Sequence, residues 1–320
     1  MRPFEPLFLN PHLQTIAGHY WRRPCDRVRF PLTERLYLTE PGVEVLVRTQ
    51  RPPGEPRGQV LLVHGLEGSS ETGYMRGMSH AALEAGFVTH RLNLRTCGGT
   101  EHLSRTLYHS GLTADVRVIV EDLAGQGPAP LWLVGFSLGA NVVLKFAGEL
   151  GQEAAGQIAG VCAVSTPLDL SACAHRIHQP DNWIYERRFL RQMRARLLAT
   201  GRYRAADFAG IRSLIDLDNR ITAPAFGFRD AEHYYATQSS NQYLERIRVP
   251  ALLIHARDDT FIPFSVYDHP AISRNPRLGL LATDHGGHLG FISRGRPRLW
   301  LDGTVVEWMM GTDTLRLKHG

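Results

Sequence analysis

Lysine is almost absent from this sequence of 320 residues. Of its 36 basic residues only Lys145 and Lys318 are lysines, so 34 are arginines, and the formal net charge is +5. Arginine suits two-pronged contacts with carboxylate or phosphate groups, which lysine cannot make. The bias also has a neutral interpretation as a coding preference, because the exchange alters little on a solvated surface. The charge alone therefore does not assign a partner.

Cysteine and long apolar runs are also scarce. The four cysteines form no CxxC pair, which excludes a disulfide framework and a zinc-finger pattern. Apolar runs such as Val60–Val63 and Ile158–Val164 are much shorter than the ~18–20 residues that span a bilayer. Prolines interrupt the first residues where a signal peptide needs a continuous apolar stretch. We therefore expect a soluble, cytoplasmic protein.

From residue 59 onward, apolar segments alternate with helical ones. With 43% hydrophobic residues the chain can bury enough surface to fold, and continuous apolar strands separated by helices indicate a parallel sheet covered on both faces. The sequence therefore predicts an α/β fold. The predicted strands are 59–63, 87–92, 131–134, 159–164, 250–256 and 277–282, and the predicted helices are 72–84, 112–123, 138–150 and 297–310.

The alternation is interrupted once. Residues 168–245 lack any buried-strand pattern and include an arginine-rich helix over Asp181–Ala199. An insertion between parallel strands lies above their carboxyl ends, where such sheets bind ligands. We expect an irregular arm over 1–34, a core formed by 35–167 and 246–320, and an inserted helical lid or cap over 168–245.

A GxSxG motif occupies Gly135–Gly139. It lies between a predicted strand and a predicted helix, the context of a nucleophile elbow, in which a sharp turn exposes the serine hydroxyl. The helix N-terminus would stabilise a developing oxyanion. Ser137 is therefore the candidate nucleophile, and the alternative is an ordinary turn with a capping serine.

A serine nucleophile needs a histidine base and an acid that orients it, in the chain order Ser, acid, His. The loop after strand 250–256 contains Asp258 and Asp259. We prefer Asp259 because it stands four residues before a proline, and Asp258 is the alternative. Asp169, which follows an earlier strand, is a third candidate.

The base is expected after the last strand. His288 follows two glycines that let a tight loop fold back over the serine, and His285 is the alternative. The two histidines form an HxxH pair, but no third ligand stands in register with them, so we expect no metal. The backbone N–H groups of Leu66 and Leu138 are the candidate oxyanion donors, and His64 is expected to make a structural hydrogen bond beneath that loop.

These motifs together resemble the YheT-like branch of the α/β-hydrolases over nearly the whole length. The resemblance rests on residues 10–15, 64–69, 93–99, 108–111, 135–141, 230–235, 258–259 and 286–288. It implies a carboxylic-ester hydrolase without a cofactor, acting through Ser137, Asp259 and His288 on a small-molecule or lipid ester. Relatives that transfer acyl groups to alcohols make an acyltransferase the alternative, and a ligand-binding homologue without catalysis is a third interpretation.

The chain departs from that branch at Thr96, where the family usually has glycine. If that glycine has a positive φ, threonine is strained there. The neighbouring Cys97 is either a small packed residue or a reactive one. We name five candidates for the substrate pocket: His64, Cys97, Trp183, Tyr234 and Tyr235. The aromatic ones could equally form the core of the lid.

Seven arginines lie between 187 and 204, interleaved with apolar residues at helical spacing. This pattern predicts an amphipathic helix whose basic face is either simply solvated or makes transient contact with an anionic membrane surface. The basic residues match no nucleic-acid-binding motif, so we expect no nucleic-acid partner.

Overall fold

One mixed sheet organises the protein, seen in a computed structural model that describes residues 3–126 and 130–311; Lys318 lies outside these ranges. Its strand order is β1-β2-β4-β3-β5-β6-β7-β8. The strands are β1 (Leu32–Glu40), β2 (Val43–Gln50), β3 (Gly58–Val63), β4 (Phe87–Leu92), β5 (Leu131–Phe136), β6 (Gly160–Val164), β7 (Ala251–Ala256) and β8 (Leu278–Thr283). Pairing is antiparallel from β1 to β2 and from β2 to β4, and parallel elsewhere.

Helices occupy the connections between the parallel strands and also lie before β1 and after β8. They are α1 (Pro11–Tyr20), α2 (Gly73–Glu84), α3 (Ala114–Ala124), α4 (Leu138–Leu150), α5 (Leu170–Ile177), α6 (Trp183–Ala199), α7 (Leu214–Leu217), α8 (Ala223–Ala225), α9 (Ala231–Gln238), α10 (Pro270–Arg274) and α11 (Trp300–Gly311). No helix within the described ranges combines the length and apolarity that crossing a bilayer requires. The predicted strands and helices are confirmed to within a few residues at each end.

Each face of the sheet has its own apolar core. Leu61 and Val63 pack with α3 and α4, whereas the alternating Val60 and Leu62 pack with α2 and α11. Successive side chains of a strand point to opposite faces, so a strand buried on both faces must be apolar throughout. Burial of each large aliphatic side chain contributes about 1.5–3 kcal/mol. The prediction of an α/β fold with helices on both faces is confirmed.

The prediction of an irregular arm over residues 1–34 is wrong in one respect, because α1 lies within it. The Asn10 side chain accepts hydrogen bonds from the backbone N–H groups of His12 and Leu13, and Pro11 is the first helical residue. Proline lacks an N–H group, so it is tolerated at this position, where that group would have no partner within the helix. The prolines of the arm therefore include one that begins a helix.

Within the described residues, the segment between β6 and β7 contains helices and no strand. We call residues 168–245, which include α5 to α9, the inserted helical segment. It has an apolar cluster of its own, formed with Leu107 of the core by Met193, Leu197, Phe208, Leu214, Leu217 and Ile221. This cluster lets the segment keep a defined shape above the carboxyl edge of the sheet.

Candidate active site

Ser137 lies at the sharp turn between β5 and α4. Its φ of 52° and ψ of −121° are strained for a residue with a side chain. A Cβ at Gly139 would collide with the carbonyl groups of Val63 and His64, and one at Gly135 would collide with the start of α4. Only glycine fits these close approaches, so the motif spacing follows from packing as well as from chemistry.

A chain of hydrogen bonds runs from Ser137 to Asp259. The Nε2 atom of His288 is 2.9 Å from the Ser137 Oγ atom. The Nδ1 atom of His288 is also 2.9 Å from the Asp259 Oδ2 atom. The Phe261 ring packs beside the imidazole, with ring centroids 4.5 Å apart. The three residues predicted from spacing therefore meet at the carboxyl ends of β5, β7 and β8, within hydrogen-bonding distance.

The buried Asp259 carboxylate is held in a polar setting. Its Oδ1 atom accepts hydrogen bonds from the backbone N–H groups of Phe261 and Ile262, at 2.8 and 3.2 Å. Burial alone would favour the neutral acid, but the charge and hydrogen bond of His288 outweigh it and lower the pKa of Asp259. The carboxylate is thus kept ionised beside the imidazole, as the orienting role requires.

The neighbouring carboxylates make different contacts. Asp258 is 3.1 Å from the Nδ1 atom of His285 and accepts a hydrogen bond from the Gly287 backbone N–H group at 2.8 Å. Asp169 caps α5 by accepting a hydrogen bond from the Ala172 N–H group. Asp258 and His285 therefore support the loop that carries His288, and Asp169 is engaged in local structure.

Helix α1 also supports the histidine loop, which sequence reasoning missed. The Thr15 hydroxyl accepts a hydrogen bond from the His288 backbone N–H group at 2.9 Å. The buried Gln14 side chain donates to the backbone carbonyls of Gly290 and Ile292. A Cβ at Gly287 would collide with α1. The usable signal was the Asn-Pro pair at 10 and 11, which is typical of a capped helix start.

The two candidate oxyanion donors belong to segments that both come close to Ser137. Leu138 is the first residue of α4, so no carbonyl of the helix accepts a hydrogen bond from its N–H group. Leu66 belongs to the loop after β3, and a Cβ at the preceding Gly65 would be 3.0 Å from the Ser137 Cβ atom. This loop is held by a hydrogen bond of 2.9 Å from the Gly65 N–H group to the Tyr74 hydroxyl.

Two cavities meet at Ser137 and His288. The inner cavity extends beneath the inserted helical segment and is mainly apolar. Its lining includes Leu170, Ile177, Met193, Leu197, Leu217, Ile221, Tyr234 and Tyr235. The outer cleft lies between α1, α6 and the loop after β3, and its lining includes the polar side chains of His19, Tyr20, Glu67, Arg188 and Gln192. Ser137 and His288 thus stand where the inner cavity joins an outer cleft that has a larger share of polar side chains in its lining.

Two predicted pocket residues line the inner cavity. The Tyr234 hydroxyl donates to the Ser110 Oγ atom at 2.7 Å, and the Tyr235 hydroxyl donates to Asp218 at 2.6 Å. Burial raises the pKa of Asp218 to about 6, although hydrogen bonds from Thr222 and Tyr235 oppose this shift. Ionisation of Asp218 in the lining of the inner cavity is therefore unfavourable compared with ionisation in water.

The other three pocket candidates, His64, Cys97 and Trp183, line neither cavity in the described part of the chain. His64 is fully buried and accepts a hydrogen bond from the Leu94 N–H group at 3.1 Å; burial lowers its pKa to about 4. Cys97 is a buried thiol whose pKa burial raises, so it is packed and unreactive. Trp183 points to solvent and is 56% exposed.

A buried charge cluster joins α6 to the loop after β3. The guanidinium of Arg196 is 2.9 Å from the Glu67 carboxylate and donates to the Thr96 hydroxyl at 2.7 Å. It also stacks 4.9 Å from the Tyr108 ring centre, and the Tyr108 hydroxyl donates to Glu67 at 2.9 Å. We call Glu67, Thr96, Tyr108 and Arg196 the clasp. Arg196 therefore does not belong to the solvated basic face of the predicted amphipathic helix.

The clasp stabilises strained backbone. Thr96 has a φ of 62° and Glu67 a φ of 53°, in the left-handed region that side chains rarely adopt. Thr96 thus has the positive φ at which a threonine is expected to be strained. Its hydroxyl gives Arg196 an acceptor that glycine would lack. The partnership escaped sequence analysis because Thr96 and Arg196 are 100 residues apart.

Residues 58–294 match the family model of the alpha/beta hydrolase fold. This is more than half of the chain, which therefore belongs to the α/β-hydrolase fold family. Within that family it is similar to YheT of Escherichia coli (strain K12), whose name assigns it provisionally to the esterases. The two are 32% identical over 314 residues, covering 94% of this chain and 91% of YheT. The resemblance to the YheT-like branch is thereby confirmed.

Phospholipase ABHD3 of Mus musculus is 28% identical over 249 residues, covering 76% of this chain. The chain spans only 60% of that relative. Among solved structures, the Pyrococcus furiosus esterase Pf2001 superposes with a TM-score of 0.60 at 18% identity, covering 90% of this chain and 97% of the esterase. At that identity the likeness shows the fold alone.

Proposed function

We propose that the protein is a serine hydrolase that cleaves carboxylic esters through an acyl-enzyme intermediate. The observation that carries the proposal is the hydrogen-bonded sequence Ser137, His288 and Asp259 at the junction of the inner cavity and the outer cleft. Relatives named as an esterase and a phospholipase support the same class of reaction.

In the first half of the reaction the Ser137 Oγ atom attacks the ester carbonyl while the Nε2 atom of His288 takes the hydroxyl proton. The carbonyl oxygen gains the negative charge, which the N–H groups of Leu66 and Leu138 stabilise. The carbon–oxygen bond to the alcohol then breaks, and His288 returns the proton to the departing alkoxide oxygen. Asp259 holds the imidazole in the tautomer that leaves Nε2 free to accept the proton.

In the second half a water molecule attacks the acyl-serine ester and gives its proton to His288. Collapse of this second intermediate breaks the bond to Ser137, which recovers its proton from the imidazole. The products are a carboxylic acid and an alcohol, and the side chains return to their starting state. Every proton transfer in both halves passes through the Nε2 atom of His288, which lies 2.9 Å from the Ser137 Oγ atom.

The two cavities suggest where the parts of the substrate bind. The apolar inner cavity suits an acyl chain, since burying each CH₂ group contributes about 0.8 kcal/mol. The outer cleft, whose lining includes the polar side chains of Arg188 and Gln192, suits the alcohol part. The inserted helical segment then acts as the cap over the acyl chain. We infer short- to medium-chain or lipid esters as substrates.

A fluorophosphonate probe and a p-nitrophenyl acyl ester test the proposal directly. The Ser137→Ala variant should lose the covalent label, and kcat should fall about 10⁶-fold. Ser110→Ala is the matched control, because Ser110 also lines the inner cavity but its hydroxyl contacts Tyr234. Ser110→Ala should keep the label. Equal labelling of the parent and Ser137→Ala would exclude Ser137 as the nucleophile.

A chain-length scan tests the assignment of the inner cavity. Rates should rise from acetate to medium-chain esters and depend mainly on the acyl part. The same assay with ethanol present detects transfer, because an acyltransferase would form the ethyl ester in place of the free acid. A protein that binds acyl esters without turnover or labelling would instead be a ligand-binding homologue.

A further inference from the structure

Helix α1 has its apolar side chains on the wrong side for a helix packed on a core. Leu13, Ile16 and Tyr20 recur at helical spacing, and Leu9 lies just before the helix; these four residues are between 45% and 71% exposed. The face toward the body is polar instead, and its Gln14 is fully buried. A surface helix normally buries its apolar stripe, so this inverted arrangement indicates a surface that meets another apolar phase.

The beginning of α6 extends the same surface. Trp183 and Ile184 are 56% and 61% exposed, and Arg187 and Arg191 are exposed on the following turns. Helix α6 lies against α1, because His12 stacks on Tyr185 with ring centroids 5.7 Å apart. The apolar stripe of α1 and the basic side of α6 are therefore neighbours.

The outer cleft opens between these two helices. Ile16 and Tyr20 of α1, together with Arg188 of α6, line this cleft. At the other end of the cleft stand Ser137 and His288. Whatever covers the exposed surface therefore faces the entrance to the reacting side chains.

We propose that this surface, formed by Leu9, Leu13, Ile16, Tyr20, Trp183, Ile184, Arg187 and Arg191, binds an anionic lipid bilayer. We call it the docking face. The inference rests on the proposed ester hydrolase function, and it adds the source of the substrate: an ester that enters the outer cleft from the lipid phase. The apolar side chains insert into the interface, and the two arginines contact lipid phosphates.

The chemistry of the docking face favours a bilayer over other partners. Trp and Tyr prefer the boundary between water and lipid, because their rings are apolar and their edges polar. Arginines beside an apolar stripe match the negative surface of anionic membranes, to which each basic residue contributes about 1 kcal/mol. Amphipathic helices with this composition lie in the interface with their apolar side inserted.

Vesicle sedimentation with the Ser137→Ala protein tests the proposal without turnover. The protein should bind vesicles of phosphatidylcholine mixed with phosphatidylglycerol more tightly than vesicles of phosphatidylcholine alone. Arg187→Gln combined with Arg191→Gln should weaken binding to the anionic vesicles about 30-fold. Leu9→Ser combined with Leu13→Ser should weaken binding to both kinds of vesicle by at least about 10-fold.

Matched controls come from other surfaces. Leu36 and Leu38 of β1 are 45% and 65% exposed, so their double change to Ser removes the same kind of side chain elsewhere. Arg51 and Arg246 are exposed outside the docking face, and their double change to Gln removes equal charge. Both controls should bind vesicles like the parent.

Three results would overturn the proposal: no vesicle binding by the parent, equal losses in the controls, or light scattering showing that the docking face joins two copies of the chain. Hydrolysis of a soluble short-chain ester, with Ser137 restored, separates the two proposals. The docking-face variants should hydrolyse this soluble ester at the parent rate. Binding that behaves as expected, without such hydrolysis, would contradict the proposed function and leave the membrane contact standing.

Discussion

The carboxyl edge of the sheet and the inserted helical segment contribute to the site in opposite ways. The edge supplies polar atoms on short turns directly after β5, β7 and β8, and its distances are those of hydrogen bonds. The segment supplies mainly apolar walls and, through Arg196, one buried charge that reaches back to the core. Ser137, His288 and Asp259 thus stand on the core, whereas the inserted helical segment supplies much of the apolar lining of the inner cavity.

After the loss of Ser137 itself, the largest expected effect on kcat distinguishes the two aspartates at the carboxyl edge. Asp259→Asn should lower kcat about 10⁴-fold, because the amide favours the wrong imidazole tautomer. Asp258→Asn should lower kcat only about 10-fold, because Asp258 acts through the Gly287 loop. Steady-state kinetics on a p-nitrophenyl ester measures both. Equal losses would contradict the assignment of Asp259 as the orienting acid.

Variants of the clasp measure how strongly contacts between the inserted helical segment and the core stabilise the fold. Arg196→Met should lower the free energy of unfolding by about 3–5 kcal/mol, because Glu67 is left buried without its partner. Adding Glu67→Gln removes that charge, so the double variant should recover much of the loss. Urea unfolding of the parent, both single variants and the double variant measures this coupling. Additive losses would show that the two side chains stabilise the fold independently.

Asp218 should make the inserted helical segment sensitive to pH. Its pKa of about 6 exceeds that of the unfolded chain, so the folded state keeps a proton that the unfolded chain has lost. The resulting stability is complete below about pH 4 and is lost as the pH rises through about 6.

Asp218→Asn should therefore raise the free energy of unfolding at pH 8 by about 3 kcal/mol at most, less where cavity water solvates the acid. Stability of this variant should also depend less on pH between 4 and 7. Denaturant unfolding at a series of pH values measures both effects. Asp268→Asn, at an exposed position, controls for the loss of one charge and should leave the pH profile unchanged.

The smallest expected effect is at Thr96. Thr96→Gly relieves the strained φ but removes the hydrogen bond to Arg196, so the free energy of unfolding should change by no more than about 1 kcal/mol. Thr96→Ala loses the bond and keeps most of the strain, so it should be the less stable of the two. Thermal unfolding of both variants measures this difference in stability. A Thr96→Ala variant more stable than Thr96→Gly would indicate that backbone strain at position 96 is negligible.

The sheet and the three candidate residues Ser137, Asp259 and His288 were predictable because their signals are local. A buried strand is an apolar run, and the elbow around Ser137 needs glycines at fixed spacing. The choice between Asp258 and Asp259 depended on loop geometry, for which the distance to a proline was the only indication. In the structure, Asp259 lies beside His288, whereas Asp258 accepts a hydrogen bond from the backbone N–H group of Gly287.

The remaining features depend on contacts between distant parts of the chain. Helix α1 was missed because Pro11 counted as a helix breaker when it stands at a helix start. The clasp joins positions 67, 96 and 196, and no periodicity reveals such a contact. Trp183 and Cys97 were candidates for the pocket, yet Trp183 faces solvent and Cys97 lies in the core.

The position of α1 has a consequence for exchanging parts between related hydrolases. Residues 168–245 are contiguous in sequence, so they could be exchanged between related hydrolases as one segment. They do not form the site on their own, however. One wall of the outer cleft comes from α1, and the same helix anchors the His288 loop through Thr15. A working chimera must therefore carry two separate pieces of chain, helix α1 and residues 168–245, together with an acid at position 67 that pairs with Arg196.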